Sequence, residues 1–137
     1  MLESRRILVP IDFSASTPRT LAYAAEFARA FGVRLDVLHV CALHEESVGE
    51  AQREMDTAIP DDLNDVVERR HIVRALSADL GIIHEARERA AGLIIMGTHG
   101  RSGLRHVLLG SIAERVVQLA GCPVLTVRQP DHRFERP

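Results

Sequence analysis

Apolar residues in this 137-residue chain occur either in short dense runs or at helical spacing. Residues 6–11 (R-I-L-V-P-I), 33–40 (V-R-L-D-V-L-H-V), 93–96 (L-I-I-M) and 123–127 (P-V-L-T-V) are the runs. The near-continuous apolar character of residues 6–11 predicts a strand buried on both faces and that of 93–96 a buried strand, while 33–40 and 123–127 read as further strands. Pro10 has no N–H for a ladder, so it marks the end of the first strand. Between the first two runs, Thr17 and Pro18 read as N-cap and first helical residue. Leu21, Ala24, Ala25, Ala28 and Phe31 follow at helical spacing, and Gly32 closes the helix.

The pattern weakens from residue 41 to 70. Residues 44–56 are polar and fit an exposed helix, which Ile59-Pro60-Asp61 interrupts. Leu63, Val66 and Val67 predict a further helical turn or two, and residues 71–76 a short strand at a sheet edge. Ser77 caps a helix running to about Ala91, with Leu80, Ile83, Ala86 and Ala90 inward. A last helix is predicted over 112–120 with Val116 and Val117 inward, and residues 129–137 read as a loose polar tail.

Strands alternating with helices predict a parallel sheet with right-handed crossovers. The expected fold class is α/β, a three-layer open sheet of five strands, in one domain over residues 1–128. Ligands of such sheets bind beyond the carboxyl ends of the strands, where the strand order reverses. Asp12 and Ser14 lie just past the first strand. Met96 to Ser111 (M-G-T-H-G-R-S-G-L-R-H-V-L-L-G-S) joins the fourth strand to the last helix. A strand, a Gly-rich turn and a helix N-terminus form an anion site, because glycines admit a phosphate to the backbone and helical N–H groups point at it. If the first and fourth strands are neighbours, a carboxylate faces a phosphate cradle, which is a nucleotide geometry.

Gly97-x-x-Gly100, nine residues, then Gly110-Ser111 resembles the nucleotide-binding signature of the universal stress protein family. The phrases V-P-I-D-F-S, L-D-V-L-H-V, L-L-G-S-I-A-E-R-V and C-P-V-L-T-V are similar to that family's as well, and the likeness covers most of residues 4 to 128. The resemblance implies a Rossmann-like sheet of the adenine nucleotide alpha hydrolase type, with strand order 3-2-1-4-5 and ATP at the switch point. Carried over by position, Gly97, Gly100, Gly110 and Ser111 hold phosphates and ribose, flanked by Met96 and Ile112. Asp12 stands by the ribose and phosphates through a divalent ion, Mg or Mn. Pro10, Ile11 and Val40 line the adenine pocket, Val40 through its backbone. The chain departs from the family's pattern at Leu76-Ser77-Ala78, where Gly-x-Pro is common, and at Gly92, where Asp is usual.

Composition narrows the chemistry. The formal net charge of −2 gives no electrostatic case for nucleic acid or an anionic membrane. All seventeen basic residues are arginine. A chain without lysine has no Walker A loop and no Schiff base. Cys41 and Cys122 lie far apart without metal-ligand spacing, and read as free thiols in a reducing compartment. No leader and no membrane span is visible, so the expected location is the cytoplasm.

Arg101 is the best side chain for a phosphate, ahead of Arg105, His99 and His106; His39 and His71 read as packed or capping groups. The expected function is a small ATP-binding regulatory protein of the stress response. The alternatives are a slow ATP hydrolase or adenylate-handling enzyme in the same crevice, and a nucleotide-free interaction module. No general base or second carboxylate accompanies the loop. The edge strand from Pro123 to Val127 is apolar and uncharged, which predicts an antiparallel homodimer through it.

Overall fold

The computed structural model describes residues 6–43, 47–99 and 109–128. Five parallel strands form one sheet: β1 (Arg6–Pro10), β2 (Arg34–Ala42), β3 (Val67–Ala75), β4 (Leu93–Gly97) and β5 (Val124–Val127). Their order is β3-β2-β1-β4-β5, so the sequence direction reverses between β1 and β4. Pro10 is tolerated in the central strand because it is the last residue of β1; the next N–H, that of Ile11, donates to the Leu38 carbonyl at 2.8 Å.

Alternation along the strands divides the core in two. Ile7, Val9, Leu35, Val37 and Ile95 meet α1 (Thr17–Phe31) and α2 (Val48–Ala58) on one face. Leu8, Leu38, Ile94 and Met96 meet α3 (Ala78–Glu88) and α4 (Ser111–Leu119) on the other. Each fully buried Leu or Ile contributes roughly 1.5–3 kcal/mol to this packing. Strand order, parallel pairing and the three layers are as the pattern and the resemblance imply.

Several local expectations are corrected. The first helix begins one residue early: Ser16 is the N-cap, Thr17 opens the helix and Pro18 follows. Phe31 is exposed, because it falls one residue before the left-handed Gly32 stop and beyond the edge of the sheet's cover. In place of a helix over 44–56 stands α2, capped by Ser47, whose hydroxyl accepts from the Glu50 N–H at 3.1 Å. It is not merely exposed, since Ala51 and Met55 are fully buried. Leu63 closes a 3-10 turn (Asp61–Leu63), but Val67 opens β3, four residues before the predicted start. In α3, Ile82 and Ala86 point inward, Ile83 is half-buried, and Leu80 is exposed; the helix ends at Glu88, short of Ala91 and of Ala90, which is exposed. In α4, Ala113 and Val116 are buried while Val117 is exposed.

The two edges of the sheet differ. Glu68, Arg69, Arg70 and Arg74 of β3 are exposed, whereas β5 carries no charged residue. The tail over 129–137 lies outside the described residues.

Candidate functional site

A crevice of about 740 Å³, counting its open mouth, lies at the carboxyl ends of β1, β2 and β4. It therefore sits at the reversal of strand order, where open parallel sheets bind ligands. Its α3/α4 side is apolar: Val40, Ile82, Met96 and Ile112 form a slot between β2 and the two helices. α3 reaches this slot closely because residue 81 is glycine. A Cβ there would lie 2.7 and 2.9 Å from the Val40 methyls and 3.1 Å from the Ala75 Cβ.

The opposite side is polar and is built by the ends of β1 and β4 and the start of α1. The Ser16 hydroxyl donates to the His99 carbonyl at 3.4 Å and lies 2.9 Å from the Ser14 hydroxyl. The Thr20 hydroxyl donates to the Ser16 carbonyl at 3.1 Å. Both crowd Gly97, where an added Cβ would meet Ser16 Oγ and Thr20 Oγ1 at 3.3 Å each. Glycine at position 97 is thus accounted for by the approach of α1, whatever the crevice holds. The Thr17 hydroxyl is buried on the same wall without a hydrogen-bond partner among the described residues. Such an orphan costs about 1–3 kcal/mol, which a water or ligand oxygen reaching it would recover.

The two halves of the glycine signature meet at the crevice floor. The Gly110 N–H donates to the Thr98 carbonyl at 2.6 Å, which closes the base of the intervening loop. Gly110 then caps α4 with φ −67° and ψ 163°, so Ser111, Ile112 and Ala113 form its first turn and line the crevice. First-turn N–H groups have no partner within their own helix and carry the positive end of its dipole. This end of the crevice suits an anion. Thr98 Oγ1 and His99 Nδ1 lie 3.0 Å apart beside it.

Asp12 lines the crevice between the two ends, its Oδ1 accepting from the Ser14 N–H at 3.0 Å. Among the described residues no three His, Cys, Asp or Glu side chains cluster as a metal site. Asp12 is the carboxylate among the described residues that line the crevice. Just past Asp12, Phe13 has φ +61°, a conformation that costs a non-glycine residue roughly 1–3 kcal/mol. Next to crevice-lining Ala78, Asp79 lies in the first turn of α3; the Ser77 hydroxyl, the N–H groups of Asp79 and Leu80, and Arg115 hold its carboxyl below the usual range against the effect of burial. Arg115 Nε lies 3.4 Å from Asp79 Oδ2 and ties α4 to α3.

Pro10, Ile11, Asp12, Val40, Met96, Gly97, Gly110, Ser111 and Ile112, predicted from sequence, all border this one crevice. Ser14 does not; it faces a shallower groove with Phe13 and Arg53, and reaches the site through its N–H bond to Asp12 and its hydroxyl contact with Ser16. Gly100 and Arg101 lie outside the described residues, as do Arg105 and His106. Sequence reasoning passed over Ser16, Thr17, Thr20, Thr98 and Ile82, and treated His39 as packing. A Thr within a helix or after a strand carries no signal of its own. The Ser/Thr density of residues 14–20 was the available hint.

A model of the universal stress protein family matches residues 3–128. A universal stress protein of Thermus aquaticus is 32% identical over 141 residues, covering 90% of this chain and 98% of that one. Universal stress protein MJ0531 of Methanocaldococcus jannaschii is 53% identical over 49 residues, which are 36% of this chain and 29% of that protein's length. Among solved structures, the universal stress protein from Archaeoglobus fulgidus in complex with dAMP superposes with a TM-score of 0.68 at 26% identity, covering 92% of this chain and 98% of that one.

Proposed function

Because the chain belongs to the universal stress protein family, we propose that its crevice binds ATP and that occupancy, rather than turnover, is what the protein contributes to a stress response. The observation that carries this reading is the meeting of an apolar slot, a carboxylate and a helix N-terminus in one crevice at the strand reversal. An adenine nucleotide has the same three parts in the same order: a flat base, a ribose and an anionic tail. The dAMP held by the Archaeoglobus fulgidus relative supports an adenine nucleotide as the ligand class.

In this reading the base enters the slot beside Pro10, Ile11 and Val40, and Met96 and Ile112 flank the sugar. Gly97, Gly100, Gly110 and Ser111 take the phosphates with Arg101, and Asp12 meets them through Mg or Mn. Residues 1–128 act as a single domain in the cytoplasm, as a homodimer joined through β5 and without nucleic acid or membrane as partner.

Mass spectrometry of small molecules released by denaturing the purified protein tests the reading directly. ATP or another adenine nucleotide in near-stoichiometric amount is expected. No co-purified nucleotide together with no heat of binding on titration with ATP and Mg would refute it.

A slow ATP hydrolase in the same crevice has one observation in its favour: His99 places an imidazole near the α4 end, where phosphates would lie. Sustained ATP turnover that is lost in Asp12→Asn would favour that alternative.

A further inference from the structure

His39 stands near the carboxyl end of β2, on the α1 side of the sheet, and is only 4% exposed. Its Nδ1 lies 2.8 Å from the Ile11 carbonyl. A carbonyl can only accept, so Nδ1 carries a proton and donates. The same imidazole stacks on the Phe13 ring, with centroids 4.2 Å apart and planes inclined by 29°. Ile11 and Phe13 are the two chain neighbours of Asp12. Phe13 holds the left-handed φ of +61°, which an aromatic residue keeps only when its surroundings impose it.

A single side chain from a different strand therefore engages the residues on both sides of Asp12. On one side it acts through a hydrogen bond, and on the other through ring contact with the strained residue. The Asp12 carboxylate is oriented in turn by the Ser14 N–H. We infer that His39 is the positioning residue for Asp12, fixing where that carboxylate meets the ribose or the metal-bound phosphates. The inference rests on the nucleotide reading above and adds to it the device that sets its one carboxylate. Burial alone would be served equally well by leucine; the pairing of a ring with a donor on Nδ1 is what leucine lacks.

Three variants separate the two contacts. His39→Asn keeps an N–H donor where Nδ1 stands but loses the ring. His39→Phe keeps the ring and loses the donor. His39→Leu loses both. In the nucleotide-free protein, amide hydrogen exchange at Ser14 is expected to quicken about tenfold or more in His39→Leu, and less in His39→Asn, with exchange at Leu8 unchanged. In calorimetric titration with ATP and Mg, His39→Leu is expected to weaken binding roughly tenfold, the worth of one charge-assisted contact. In an Asp12→Asn background the same substitution should cost nothing further, because the group it positions has lost its charge.

Additive losses in the double variant would overturn the inference, since a general structural role affects binding whether or not Asp12 is ionised. Unchanged Ser14 exchange in His39→Leu would overturn it too, with or without nucleotide. A wild-type protein that does not bind ATP would refute the reading of the crevice instead, and the exchange experiment would still decide the role of His39. Should His39→Leu not fold, His39→Asn and His39→Phe carry both measurements.

Discussion

Replacing Gly81 by alanine sets helix propensity against packing. Gly81 lies inside α3, where propensity alone favours alanine by about 1 kcal/mol. The added Cβ, however, would stand 2.7 and 2.9 Å from the two Val40 methyls and 3.1 Å from the Ala75 Cβ. Ordinary carbon contacts lie at about 3.5–4.0 Å, so α3 must withdraw by roughly 1 Å. Rotation of Val40 does not relieve the clash, because a β-branched residue in a strand has few rotamers and both of its methyls are involved. With two contacts under 3.0 Å the cost falls in the upper part of the overpacking range, about 2–3 kcal/mol, leaving a net loss of about 1–2 kcal/mol. For a domain of this size that lowers the melting temperature by about 4–8 °C. Gly49→Ala is the internal control: in α2 the new Cβ meets nothing closer than Arg53 Nη1 at 3.7 Å. It should raise the melting temperature slightly. Differential scanning calorimetry on both variants decides the matter. A Gly81→Ala protein as stable as the wild type, or more so, would show that α3 has room at this position and would refute the steric argument. Because Val40 and Ile82 form the slot that this contact shapes, ATP affinity should fall with stability in Gly81→Ala and stay unchanged in Gly49→Ala.

Three further outcomes are expected. Gly110→Val should leave circular dichroism native, since φ −67° suits any residue, while ATP binding measured by titration falls more than about tenfold as a branched side chain enters the anion end. Asp79→Asn should cost about 1 kcal/mol at pH 7; because the folded-state pKa is depressed, that difference should shrink as pH falls from about 4 downward and vanish once both states bind the proton, as followed by urea denaturation across pH. Thr126→Pro should shift the protein towards monomer in analytical ultracentrifugation without unfolding it. The Pro123 and Val127 carbonyls accept from Ile94 and Thr98 of the β4 side, so by alternation the Thr126 N–H points to the free edge.

The parts of the molecule legible in the sequence are those where one physical demand acts alone. β1, β2 and β4 are largely buried strands whose apolar runs have no other explanation, β5 is a half-buried edge strand with the same signature, and Gly32 and Ser77 stand where helices stop and start. β3 was misread because its first four residues, Val67 to Arg70, are three parts charged; an edge strand spends its outward positions on solvent and loses the apolar signature. The Leu80, Phe31 and Val117 errors share another cause. Helical periodicity locates the centre of a buried stripe better than its edges: Phe31 and Val117 flank stripes carried by Ala28 and Val116, and in α3 Ile82 faces the sheet in place of Leu80. In the crevice, the places of Gly97, Gly110 and Asp12 were readable because each stands at a strand end or helix start that the pattern marks. The hydroxyls of Ser16, Thr17 and Thr20 were not, since they acquire meaning only when α1 is laid against the end of β4. The strain at Phe13 has no sequence signal at all, because aromatic residues do not favour positive φ.

The unlike edges of the sheet bear on how large an assembly this chain can form. Indefinite strand-by-strand addition, as in a fibre, needs a receptive edge on each side of every unit. Here Arg69, Arg70 and Arg74, with Glu68 beside them, give the exposed side of β3 a net positive charge, while β5 carries no charged residue. A contact through β5 would consume the one receptive edge of each copy. The joined sheet would then end on two β3 strands, each studded with arginine and repelling further copies. Growth by edge addition would stop at two however concentrated the protein became, a termination rule written in three arginines at one rim.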